Sequence, residues 1–211
     1  MSMDIFSAII LIVIIIFSAI IHEVMHGYAA DKLGDPTARY AGRLTLNPIP
    51  HIDPIGSILL PLVLVLSGSP IFFGWAKPVP YNPYNLRPGR FSEAIVAGAG
   101  PAANAVLAVL FGVLVRLNID STLSDFFFLI VVVNVMLCIF NLIPIPPLDG
   151  SKVLESLLPR SWQYGYARWR RALETNPLLG MAIVLAVVLV LGGAFSNLIY
   201  DVASFIAGVL S

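Results

Sequence analysis

Long apolar runs separated by short polar stretches dominate the chain. A helix needs about 20 apolar residues to cross the hydrocarbon core of a bilayer, and such lengths occur at Asp4 to Ala30, Phe91 to Val115, Asp125 to Ile143 and Pro177 to Phe195. Each predicts a membrane-spanning helix. A fifth run, Leu198 to Leu210, is short and interrupted by Asp201. The preferred reading is the second arm of a helical hairpin turning at Gly192-Gly193; a tilted span and an interfacial helix are the alternatives. The run Ile55 to Leu66 has Pro61 in its middle and Ser67-Gly68-Ser69-Pro70 behind it, a length and punctuation more typical of a re-entrant element than of a span.

Around that run, Ala38 to Leu46 and Trp75 to Tyr81 have alternating, β-branched or aromatic character with Asn-Pro and Lys-Pro punctuation. They predict short strands near the membrane face. Ser161 to Glu174, with Trp162, Tyr166, Trp169 and nearby arginines, reads as an interfacial amphipathic helix. The expected fold class is therefore an all-α polytopic membrane protein, a helical bundle of five to six transmembrane or re-entrant segments with short β-strands. No internal repeat or low-complexity tract interrupts it. Residues 1–211 are expected to form a single membrane-embedded domain, with a core over 4–150 and amphipathic and transmembrane helices over 151–211.

Composition agrees with this class. The 211 residues are 58% hydrophobic and only 11% charged, and the mean hydropathy is strongly positive, outside the range of a soluble domain with a polar exterior. The formal net charge is zero, and nothing suggests a nucleic-acid partner. The lone cysteine, Cys138, lies in an apolar run, which leaves no disulfide framework and no cysteine-based metal site. The N-terminal apolar run lacks a basic leading region and a small-residue cleavage site, so it reads as a retained helix rather than a signal peptide.

Charge also arbitrates topology. Counting Lys and Arg, the loop Asp31 to Pro54 carries three, Gly74 to Arg90 three, Arg116 to Ser124 one and Pro144 to Asn176 five. If Ile55 to Leu66 spans, the two sides hold eight and four; if it dips in and returns, they hold eleven and one. The positive-inside rule prefers the second arrangement. It places the N-terminus outside and the end of the first helix toward the cytoplasm.

That helix end carries the first chemistry. Ile5 to Ile21 is uncharged, and directly after it stand His22-Glu23-Val24-Met25-His26-Gly27. Histidines four apart on a helix share one face, one turn apart, and can bind the same tetrahedral Zn²⁺. Glu23, beside the first ligand, is placed to take a proton from a water at the metal, the mechanics of an HExxH motif. The plain alternative is a helix end whose polar groups snorkel to the interface, but ionisable groups at lipid depth are costly. Only one other histidine, His51, exists in the chain.

A catalytic zinc needs a third protein ligand. The best candidate is Asp149, in Phe140-Asn141-Leu142-Ile143-Pro144-Ile145-Pro146-Pro147-Leu148-Asp149-Gly150, where three prolines break a transmembrane helix and a carboxylate follows. Such broken backbone is tolerated at membrane depth only where it lines protein or a water-filled cavity. Asp149 as a cap for a helix starting at Ser151 is the structural alternative.

With these residues the chain resembles the site-2 protease family of intramembrane zinc metalloproteases, and within it the compact prokaryotic subgroup without a PDZ domain. The matching residues are His22-Glu23-Val24-Met25-His26, then Asn141 through Asp149-Gly150, and Gly100-Pro101-Ala102-Ala103-Asn104 in the middle helix; the segment Asn47 to Pro54 also fits that subgroup. The resemblance covers Ile5 to Gly150, and beyond Lys152 it rests on hydropathy alone. It implies one zinc ion held by His22, His26 and Asp149, with Glu23 as general base toward water and then as proton donor to the leaving amine. It also implies that Asn104 and Asn141 contact the substrate backbone or the oxyanion, with helix–helix hydrogen bonding as their alternative.

The function so implied is hydrolysis of peptide bonds in or near transmembrane segments of membrane proteins, by a multi-pass protein of a prokaryotic cell membrane with its active site toward the cytoplasm. The expected partners are a transmembrane protein substrate and the lipid bilayer; no oligomeric state follows. The alternative function is a zinc transporter or zinc-binding membrane scaffold, but transport requires no glutamate beside the first histidine. Glu93 and Glu155 are the alternative third ligands if the chain belongs to another HExxH family. His51 and Asp53 are open between a ligand, a partner for a ligating imidazole and a loop role. Gly42 to Leu46 and Trp75 to Val79 are expected to offer a strand edge on which an unwound substrate could add.

Overall fold

The computed structural model describes residues 5–59, 63, 76–117 and 120–209. The chain divides into two compact units, Met1–Arg87 and Pro88–Ser211.

In the first unit, helix α1 runs from Ile5 to Lys32. Its apolar run contains no helix breaker, so the helix carries His22, Glu23 and His26 without interruption. It ends where Gly34 adopts a positive φ of 106°. There the Asp35 amide donates to Ala30 O and the Gly34 amide to Asp31 O, the two bonds of a Schellman ending that satisfy the last carbonyls. Helix α2, Thr37–Tyr40, closes in the same way: Gly42 has φ 64°, and the amides of Gly42 and Arg43 donate to Arg39 O and Ala38 O.

These endings correct the strand expectation for Ala38 to Leu46, whose apparent alternation belongs to a helical turn and the bends after it. The other expected strand, of which Trp75 lies outside the described residues, is irregular from Ala76 to Asn82. Pro78 and Pro80 have no N–H to give a ladder, and side chains take up other backbone groups of this segment. No strand occurs among the described residues. Of the run Ile55 to Leu66, Pro54–Leu59 forms a short π-helical stretch. Apart from Val63, the rest lies outside the described residues, as do Ser67 to Pro70.

In the second unit, α3 spans Ser92–Leu117, α4 Ser121–Asn141, α5 Asp149–Leu157, α6 Arg160–Glu174 and α7 Pro177–Ala207. Asp120 caps α4, its Oδ1 accepting the amides of Thr122 and Leu123 at 2.9 and 3.1 Å. The core is a small-residue seam of Ala108, Val131, Val135 and Ala203, where α3, α4 and α7 approach closely. A Cβ built on Gly112 would lie 2.5 Å from Ile206 Cγ2, so glycine there sets the α3–α7 distance.

Helix α7 runs straight through Gly192 and Gly193, which corrects the expected hairpin. Two glycines cost a helix only about 1 kcal/mol each relative to alanine. Turning the chain in lipid would leave several backbone groups unbonded, at several kcal/mol per group. Four described helices are long and apolar enough to cross a membrane, over Phe6–Lys32, Ser92–Leu117, Ser121–Asn141 and Ala182–Ala207. The segment count of five to six falls to four among the described residues. The predicted amphipathic segment forms α6, whose Arg170 joins Glu155 at 2.6 Å, Glu174 at 2.9 Å and Glu93 at 3.4 Å, tying α3, α5 and α6 together.

Candidate metal centre

His22 and His26 lie one turn apart on α1 and both are buried. Their rings meet edge to face, with centroids 4.6 Å apart and planes at 83°. A ring nitrogen of one lies within 4.8 Å of a ring nitrogen of the other, a spacing a single tetrahedral ion can bridge. Imidazole nitrogens are suitable donors for zinc, so the pair fits half of a catalytic metal site.

Glu23 reaches the irregular segment Ala76 to Asn82. Its Oε2 accepts the Val79 amide at 2.9 Å. Gly27, directly after the motif, makes this approach possible: a Cβ there would sit 2.6 Å from Leu44 Cδ2 and 2.8 Å from Val79 Cγ1. The same segment is also held by Arg43, whose NH2 group donates to Lys77 O at 2.6 Å and Pro78 O at 3.2 Å. Sequence reasoning missed both Arg43 and the Val79 amide.

His51 and Asp53 both make contacts within their loop. Asp53 Oδ1 accepts the amides of Ile55 and Gly56 at 3.0 and 2.7 Å, capping the π-helical stretch. His51 is buried; its Nε2 lies 2.9 Å from Thr45 O, and its own carbonyl accepts the Lys77 amide at 2.9 Å. Nearby, Asp35 gathers the Thr37 hydroxyl, the Asn82 amide and the Asn85 side chain. Burial alone would raise the Asp35 carboxyl, but hydrogen bonds from Thr37, Asn85 and Asn82 outweigh it and hold it below the usual carboxylate range.

Asp149 is the first residue of α5, where the helix dipole favours a carboxylate. It stands within the first turn, and the cap position falls on Leu148. The amide of Asn104 donates to Asn134 Oδ1 at 2.9 Å, and Asn134 Nδ2 donates to Ile130 O; both asparagines are fully buried between α3 and α4. Asn141 Nδ2 donates within its own helix to Leu137 O at 3.0 Å. Of the alternative ligands, Glu93 and Glu155 are both engaged with Arg170.

Comparison with known proteins decides the family. The "Putative zinc metalloprotease YwhC" of Bacillus subtilis is 38% identical over 159 residues, covering 71% of this chain and 69% of that protein. The chain belongs to peptidase family M50, the site-2 proteases. The model of that family matches residues 116–187, the stretch containing Asn141 and Asp149. The M50 relatives include "Putative zinc metalloprotease Rip2" of Mycolicibacterium smegmatis, 33% identical over 190 residues, with 88% of this chain and 69% of the relative covered. The protein of the same name from Mycobacterium tuberculosis H37Rv is 29% identical over 188 residues, covering 87% and 68%. No solved structure matches significantly. Family membership and the four apolar helices make this M50 peptidase a multi-pass membrane protein.

Proposed function

We propose that this chain hydrolyses a peptide bond of a membrane-embedded substrate with His22, His26 and Asp149 as zinc ligands and Glu23 as general base. As an M50 peptidase it is an intramembrane zinc metalloprotease; the assignment of roles to residues is the proposal. The observation that carries it is the pairing of His22 and His26 on one turn of an apolar helix with Glu23 between them. Asp149 completes the three ligands that a catalytic zinc requires.

Zinc supplies a Lewis acid and makes water a nucleophile at neutral pH. The Glu23 carboxylate accepts the proton that the attacking water releases, then delivers it to the nitrogen of the leaving amine. Asn141, whose Nδ2 carries a second N–H beyond the one given to Leu137, is the better candidate for a substrate or oxyanion contact. Asn104 is assigned to helix pairing with Asn134. The transporter reading is not favoured by membership of a peptidase family.

The substrate is a transmembrane protein segment that reaches the site from the bilayer. The distribution of Lys and Arg supports a prokaryotic cell membrane orientation in which the end of α1 faces the cytoplasm, where hydrolysis obtains its water. Zinc analysis of the purified protein beside an Asp149→Ala variant tests the ligand set. The variant is expected to lose its zinc; unchanged metal content and coordination would remove Asp149 from the site.

A further inference from the structure

We infer that Arg43 is a positioning residue for Glu23, acting through the backbone amide of Val79. This rests on Glu23 as the general base. The geometry is a relay within the first unit: Arg43 NH2 holds Lys77 O and Pro78 O, His51 O holds the Lys77 amide, and Val79 N–H then meets Glu23 Oε2 at 2.9 Å.

Three observations favour this assignment over loop packing alone. First, Lys77 spends its N–H on His51 and the prolines at 78 and 80 have none, so from Lys77 to Pro80 only Val79 brings an amide to Glu23. Second, Arg43 is buried with its NH2 group on two neighbouring carbonyls, and Arg43 Nε and His51 Nδ1 are buried without a hydrogen-bond partner. Burying a guanidinium is costly, and the segment it grips is the one that touches Glu23. Third, the Val79 side chain packs against Gly27, one residue after His26, which fixes the amide along the axis of α1.

A glutamate on a helix face has three rotatable side-chain bonds, and a general base is effective only when its oxygen is within reach of the proton it takes. Anchoring Oε2 holds the carboxylate in one pose and leaves Oε1 as the oxygen that takes and returns the proton. Arg43 thereby contributes to turnover without touching substrate or metal.

The test uses the zinc-loaded full chain in proteoliposomes and a fluorogenic single-span peptide that the wild type cleaves. Arg43→Gln is expected to lower kcat about tenfold at unchanged KM and zinc content, and Arg43→Lys to recover most of the loss. Val79→Pro, which deletes the amide donor, should lower kcat similarly. The double variant should be no slower than Val79→Pro alone, because both changes break the same relay. Wild-type kcat in Arg43→Gln, losses that multiply in the double variant, or loss of zinc together with activity would each overturn the inference. A Glu23→Gln arm separates the two levels: cleavage by that variant removes the general base itself, whereas an inactive Glu23→Gln beside a fully active Arg43→Gln removes only the relay.

Discussion

A Cβ on Gly150 would lie 2.1 Å from the carbonyl oxygen of Leu142 and 2.6 Å from that of Ile143. The neighbouring atoms are backbone, which cannot turn aside as a flexible side chain can. The proline-rich turn after α4 thus folds directly onto the start of α5, and any side chain at 150 forces Asp149 and the turn apart. Gly150→Ala is expected to weaken zinc binding about tenfold, the usual scale for a change that disturbs a ligand through its support, with overall helicity retained. Competition with a chelator, beside circular dichroism, checks it. Wild-type zinc affinity would show that the turn does not govern the position of Asp149.

The buried amide pair Asn104–Asn134 makes a prediction about stability. Asn104→Ala and Asn134→Ala should each destabilise the protein, and the double variant should lose less than the sum, by about 0.6 kcal/mol, the average coupling for polar pairs inside membranes. Thermal unfolding in detergent reads this. Strictly additive losses would mean that the hydrogen bond contributes nothing.

Asp35 sets a pH dependence outside the spans. Its carboxyl is held below the unfolded value by the hydrogen bonds from Thr37, Asn85 and Asn82. The stabilisation is therefore complete above the unfolded carboxyl value of about 4 and is lost as pH falls through the lower folded value. Resistance of the Asp31–Arg87 region to proteolysis should decline over that acidic range. In Asp35→Asn the decline should be weaker, with lower resistance already at neutral pH; an identical profile in the variant would assign the acid sensitivity to another group.

The spans were legible because a lipid-crossing helix needs a long apolar run, and the runs around Ile5, Phe91, Asp125 and Pro177 have that length. The histidine pair was legible because i and i+4 share a helical face. Ala38 to Leu46 misled because two left-handed glycine endings, at Gly34 and Gly42, fold the stretch into turns while its composition still alternates. Gly192-Gly193 misled because glycine permits a turn without requiring one. The Val79 amide left no trace in the sequence: a backbone donor reaching Glu23 across 56 positions depends on no particular side chain. Asn104 was singled out by its motif, but its partner Asn134 stands inside the apolar run Phe126 to Phe140 with no motif residue beside it.

The most direct test follows cleavage of a single-span reporter by the wild type and Glu23→Gln, with zinc measured in the same samples. The wild type should cut in or beside the apolar segment, and Glu23→Gln should keep one zinc per chain while cleavage becomes undetectable. Cleavage by zinc-loaded Glu23→Gln at a rate near that of the wild type would contradict the account.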